Sequence, residues 1–167
     1  MGGAYPCGYE YNFYGNNASA TAHVVNTWPG PMTFSGSELG ATVYSGARLT
    51  VEGPVSDPVK AAYRWYTYVV SCPTNAIASN CYYSGYNKSR SSWDPLTVLY
   101  AIEGRSKMFV YANEGGHNYV YPDGRNEWLP GNSLYPQKYL KLRMSETQAG
   151  DFLDDFYLDT ATRAARR

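Results

Sequence analysis

Charge is scarce in this chain and it cancels: 14 Lys and Arg stand against 14 Asp and Glu, and charged residues are only 17% of the whole. Nucleic-acid duplexes and anionic membranes are recognised through a surplus of basic groups, so neither is expected as a partner. The basic tail of Arg163, Arg166 and Arg167 is short and reads as a solvated end. No apolar run approaches the length that spans a bilayer. Internal repeats and low-complexity tracts are also missing, and 167 residues suit one globular domain with a sizeable core. Histidine is almost absent. His23 falls within a helical stretch and His117 beside a Gly-rich turn, and both read as structural or solvent-facing.

Cysteine is sparse and odd in number, at three. Cys72 and Cys81 bracket a polar stretch, Pro73 to Asn80, that a disulfide could close, leaving Cys7 over; three reduced thiols are the alternative. What the chain has in excess is tyrosine, 18 residues, together with Asn, Ser and Gly. Rings that pack and hydrogen-bond at once suit a secreted protein and a ligand or partner surface. The sequons Asn17-Ala18-Ser19 and Asn87-Lys88-Ser89 point the same way, so a secreted, extracellular glycoprotein is expected.

Along the chain, Asn17 to Trp28 has helical spacing and stops at Pro29-Gly30-Pro31; Met32 to Ser35 is a short strand and Gly36 to Gly40 a loop. Ala41 to Leu49 reads as irregular or a short helix. Asp57-Pro58 opens a helix over Val59 to Val70 with Ala62, Tyr63, Tyr66 and Val69 inward. The polar loop from Cys72 to Ser92 is long enough to suggest function. In Trp93-Asp94-Pro95, Asp94 reads as a cap and Pro95 as the first helical residue of a buried apolar helix that ends near Gly104. From Met108 the period falls to two, with a turn at Pro122-Asp123-Gly124-Arg125 and a further alternating run over Gln137 to Met144. Ser145-Glu146-Thr147-Gln148 is a capping box opening a last helix to about Leu158, with Asp151, Asp154, Asp155 and Asp159 on its solvated face. The fold class expected is α/β, an open sheet with flanking helices, then a β-hairpin-rich segment and a terminal helix.

Three stretches in this order resemble the inosine-uridine-preferring nucleoside hydrolases, in particular their secreted fungal-type branch. They are Met1-Gly2-Gly3-Ala4 followed by Glu10-Tyr11-Asn12, the run from Pro31 to Gly40, and Trp93-Asp94-Pro95-Leu96-Thr97-Val98. The resemblance implies an open α/β sheet and cleavage of the N-glycosidic bond of ribonucleosides. It also implies a calcium ion that binds the ribose hydroxyls and a water, with a carboxylate as base. Hard oxygen ligands suit calcium, and an ion at the sugar orients the nucleophile and makes it more acidic. Carried over, Asp94 is the metal ligand, Glu10 and Asn12 hydrogen-bond ribose, and Met1 lines the sugar pocket. Read from the residues alone, Asp94 is equally a helix cap, and Glu10 and Asn12 are ordinary loop or strand residues.

Set against that family the chain departs in three ways. The family's Asp-x-Asp-x-x-x-Asp-Asp motif, which supplies most calcium ligands and the base, has no match, so this chain is expected to hold the carboxy-terminal portion and to lack a catalytic residue. Trp93 stands where many members place the histidine that protonates the leaving base; an indole can stack on a base but cannot act as an acid at neutral pH. The asparagine between the first two motifs has no clear counterpart. Two functions follow as expectations. One is a nucleoside hydrolase-like protein that is inactive as this chain alone, with ribose or a ribonucleoside as ligand. The other is a non-catalytic binding or assembly module with a Tyr-rich surface, which self-associates or pairs with a complementary chain.

Overall fold

The structure, a computed structural model, describes residues 1–71, 85–112, 115–131 and 136–166. The Cys72–Cys81 pairing and most of the loop around it lie outside these residues. Helices and small sheets are mixed, as the α/β expectation has it. The chain divides into two compact units, each built from two separated segments.

The first unit comprises Met1–Thr42 and Trp93–Met144. Its strands β1 (Cys7–Tyr9), β6 (Gly116–Val120) and β7 (Arg125–Pro130) form one antiparallel sheet in the order β1-β7-β6. The expected turn at 122–125 closes the β6–β7 hairpin, which places Val120 opposite Asn126. In a second sheet β2 (Met32–Phe34) runs parallel to β8 (Gln137–Leu142), and β5 (Phe109–Ala112) runs antiparallel on its other side. Tyr5, Phe13, Ala22, Val25, Phe34, Val120 and Tyr139 make a core in which the Tyr5 ring stacks on Tyr139 at 4.8 Å.

Helices complete this unit. The short α1 (Tyr11–Tyr14) follows β1, and α2 (Ala18–Thr27) is capped by Asn17, whose side chain accepts from the Ala20 amide at 3.0 Å. The stretch expected to be a loop contains α3 (Ser37–Gly40), where burial of Leu39 draws the chain into a turn of helix. A longer helix, α6 (Trp93–Glu103), is the one expected after Trp93, but two of its features differ. Asp94 and Pro95 lie inside its first turn, where a proline costs no hydrogen bond because those amides have no partner in the helix. Leu96 and Leu99 are buried, whereas Val98 and Ile102 are 56% and 68% exposed, so the helix buries a stripe and not its whole surface.

The second unit comprises Val43–Ser92 and Ser145–Arg167. Tyr44–Ser45 (β3) pairs antiparallel with Arg90–Ser91 (β4), and α4 (Ala47–Glu52) follows directly, resolving the open reading of that region. In α5 (Pro58–Ser71) Tyr63 is half-buried, as expected, and its hydroxyl meets Ser45 and Tyr157, while the Val69 side chain lies outside what is described. Ala62 and Tyr66 are exposed and Lys60 is buried, against expectation. The reason is chemical: the Lys60 ammonium donates to the carbonyls of Gly53 at 2.6 Å and Val51 at 3.4 Å, at the end of α4. The last helix, α7 (Glu146–Ala165), opens with the expected capping box and runs past the expected end at Leu158. Asp151, Asp155 and Asp159 are solvated as expected, but Asp154 is only 6% exposed, because it has a backbone partner inside the unit.

Candidate functional site

The first unit gathers the sequence's candidate residues around the segment Gly2–Tyr5. Gly3 has φ of 78°, a left-handed conformation that glycine adopts without strain, and a Cβ there would meet the Tyr5 hydroxyl and the Phe13 ring. The backbone of this segment is then held at every residue. Gly2 N–H donates to Ser35 O at 3.0 Å, and Gly3 O accepts from Ser37 N–H at 2.8 Å. Gly3 N–H donates to the Glu10 carboxylate at 3.2 Å and Tyr5 N–H to the Glu38 carboxylate at 3.1 Å. The Asn126 side chain accepts from Ala4 N–H and donates to Ala4 O, each at 2.9 Å.

Glu10 occupies the N-cap position of α1 with an extended backbone, which turns its side chain back toward Gly3 and leaves it 9% exposed. Asn12 is exposed on α1, and its amide nitrogen lies 3.5 Å from the Met1 sulfur, a weak acceptor. Met1, Glu10 and Asn12 therefore converge, though they come from a loop, a cap and a helix. Trp93 joins them indirectly: its indole N–H donates at 2.8 Å to the carbonyl of Ser37, the residue whose amide holds Gly3. That bond fixes the half-buried ring. Three stretches far apart in sequence are thus tied through Gly3 and Ser37.

Two acidic groups flank Tyr5. Burial raises the Glu38 carboxyl above its ordinary value, against the pull of its own amide, the Tyr5 amide and Lys141. Burial, followed by the charges of Glu38 and Glu10, holds the Tyr5 hydroxyl well above its ordinary value, so it stays protonated and can only donate or accept as a neutral group. Glu38, Ser37 and Asn126 were not singled out from the sequence. Asn126 alone carried a signal, as a polar residue at an inward position of the hairpin opposite Val120.

Calcium is the ion that the resemblance implies. It takes roughly six to eight oxygen ligands, and among the described residues no three His, Cys, Asp or Glu side chains gather as a metal would need. Asp94 is exposed within the first turn of α6. Of the remaining candidates, Cys7 is an exposed free thiol, Asn17 is engaged as the α2 cap, and Asn87 is exposed in a turn with φ of 50°. Among the described residues no helix is long and apolar enough to cross a membrane. No family model, curated protein or solved structure matches this chain.

Proposed function

We propose that the chain carries the sugar-recognition part of a nucleoside hydrolase-like site and binds ribose or the ribose of a ribonucleoside without cleaving it. The observation that supports this reading most is the hydrogen-bonded convergence of the three stretches on Gly3 and Ser37, which sets Met1, Glu10 and Asn12 together. Each has a role that its chemistry allows. One oxygen of the Glu10 carboxylate is occupied by the Gly3 amide, and the other can accept from a sugar hydroxyl in a charge-assisted bond. The Asn12 carboxamide offers both a donor and an acceptor, and Met1 an apolar wall. Trp93, its N–H already used, has only its ring faces to offer a base. Asp94 by itself cannot hold calcium, so no hydrolytic step is assigned to this chain.

The test is a titration of the whole chain with ribose and, separately, with calcium, followed by calorimetry and by backbone amide NMR. Saturable ribose binding that shifts the Gly2, Gly3 and Asn12 amides is expected, with no calcium binding in the micromolar range. Ribose binding that leaves those amides unmoved, or no ribose binding at all, overturns the reading.

A second reading has its own observation. Tyr9 and Tyr14 stack face to face at 4.1 Å, Tyr11 meets Tyr14 edge-on, and Tyr9 and Tyr11 are 58% and 62% exposed. Such rings suit an assembly surface, where large amphipathic side chains bury area at little entropic cost. A solution mass that stays monomeric as concentration rises removes this reading.

A further inference from the structure

We infer that Asn126 is a positioning residue for the sugar site, acting from the far side of the chain by holding Ala4 so that Met1 and Glu10 keep their places. This rests on the ribose reading above. Asn126 is separated from Ala4 by 122 residues and is fully buried, at 0% exposed. Its carboxamide makes three hydrogen bonds, with both hydrogens used. The oxygen takes the Ala4 amide, one nitrogen hydrogen goes to the Ala4 carbonyl, and the other goes to the Asn118 side-chain oxygen at 3.1 Å. Exchanging the oxygen and nitrogen would set donor against donor and acceptor against acceptor, so the network admits one orientation.

This is the pairing of a β-ladder made by a side chain instead of a strand. It exists because Asn126 lies opposite Gly8 across β1 and β7, and Gly8 is the residue that lets Ala4 approach: a Cβ on Gly8 would collide with that of Ala4. The Asn118 backbone N–H donates to the Gln137 side-chain oxygen at 2.7 Å, which anchors that residue's main chain. The consequence falls on Ala4, the one residue of Gly2–Tyr5 whose amide and carbonyl are both taken by a side chain. Gly3 on one side of it is tied to Glu10, and Tyr5 on the other to Glu38. Without Asn126, both polar groups of Ala4 lose their partners, and the segment is left to the carboxylate tethers on Gly3 and Tyr5 and to the backbone bonds of Gly2 with Ser35 and Gly3 with Ser37.

The molecule supplies its own control. Asn26 makes the same paired clamp on another residue of the first unit, accepting from Val120 N–H at 3.0 Å and donating to Val120 O at 2.8 Å. Its hydrogen bonds go to Val120, which faces Asn126 across β6 and β7, and not to Ala4 or the carboxylates that hold the Gly2–Tyr5 segment. Ribose titration of N126A and N26A in the full chain, with thermal melts and amide hydrogen exchange of each, separates the two roles. N126A is expected to weaken ribose binding about tenfold, as the loss of one or two net hydrogen bonds would, and to speed exchange at Gly3 and Tyr5. N26A is expected to hold ribose within about twofold of the parent whatever it costs in melting temperature. Should N126A not fold, N118A, which frees one hydrogen of the clamp, is expected to weaken ribose by roughly two- to fivefold on the same grounds.

Equal losses in N126A and N26A, or parent-like affinity in N126A, overturn the positioning role. If the unaltered chain does not bind ribose, the proposed function falls instead. Unchanged exchange at Gly3 and Tyr5 in N126A then still refutes the inference, since a clamp whose removal frees nothing positions nothing.

Discussion

The two units use one device for different ends. In each, a buried carboxylate accepts from the amide of a glycine in the left-handed region. Glu10 takes Gly3 (φ 78°) across 7 residues, and Asp154 takes Gly46 (φ 99°) across 108. Around Glu10 stand Met1 and Asn12, whose ends reach the surface. Around Asp154 the protein is closed. Ser45 bonds Ser92 at 2.7 Å and Tyr63 at 3.2 Å, and the Tyr63 and Tyr157 hydroxyls lie 3.4 Å apart. Ser45 and Ser92 are wholly buried, and Tyr157 is held far above its ordinary pKa, first by burial and then by Tyr63. Asp154 also sits at the start of α4, where the helix dipole favours an anion. The difference teaches that a carboxylate on a glycine amide is not itself a site. What differs is what stands beside it: Met1 and Asn12 reaching the surface in one unit, hydroxyls bonded to one another in the other.

The largest expected contrast is between Asp154→Ala and Glu10→Ala. Removing the Asp154 carboxylate strands the buried Gly46 amide at a helix start, a loss of about 1–3 kcal/mol in stability, and should leave ribose affinity as it was. Glu10→Ala strands the likewise buried Gly3 amide at a comparable cost in stability, and should in addition reduce ribose affinity by at least about tenfold, the worth of a charge-assisted bond. Urea unfolding and ribose titration of both variants measure the four quantities. Loss of ribose binding in Asp154→Ala would erase the distinction drawn between the units.

What of this was legible beforehand depended on range. The turn before Arg125, the capping box at Ser145 and the helix after Trp93 all follow from a few neighbouring residues, which is why the sequence shows them. Asp154 was placed on a solvated face because its neighbours Asp151, Asp155 and Asp159 are solvated; its partner, the Gly46 amide, is far off in sequence. Lys60 turned inward for the same kind of reason, since no local pattern announces two free carbonyls at the end of α4. In the candidate site, Glu10, Asn12, Met1 and Trp93 were found through motif order. Glu38 carries no signal because its partner is a backbone amide, which has no residue type to match, and Asn126 shows only as a polar residue at an inward place of the hairpin.

A smaller effect tests the closed character of the Asp154 site through pH. Burial raises its carboxyl above the ordinary value, against the pull of the Gly46 and Arg48 amides and the Arg48 charge. The folded chain therefore holds that proton more tightly than the unfolded chain, whose aspartates titrate near pH ~3.9. This contribution to stability is complete below that value and is lost as pH rises through the raised one. Asp154→Asn removes the titration, so the difference in unfolding free energy between variant and parent should grow in the variant's favour from pH 4 to pH 7. A difference that stays flat over that span would mean Asp154 is as well solvated as its exposed neighbours. Glu38, raised likewise by burial, has the same sign in the first unit.

The smallest contrast lies in the helix caps. In the second unit Ser145 and Gln148 satisfy each other: Ser145 Oγ accepts from Gln148 N–H at 3.2 Å, and Gln148 Oε1 accepts from Ser145 N–H at 3.1 Å. In the first, Asn17 caps α2 by one amide bond, to Ala20, and is steadied by the Ser19 hydroxyl at 3.0 Å. Both ends are exposed, so water recovers part of either loss, and each alanine substitution should cost on the order of 0.5–1 kcal/mol. Ser145→Ala should be the costlier, because the Gln148 side chain loses one of the two bonds that fix it as well as the cap itself. Unfolding curves of the two single variants and of Ser145→Ala/Gln148→Ala decide this. A reciprocal box predicts that the double variant loses less than the sum of its singles, since either change alone already breaks the pair. Strict additivity would reduce the box to two independent bonds and remove the reason for ranking it above Asn17.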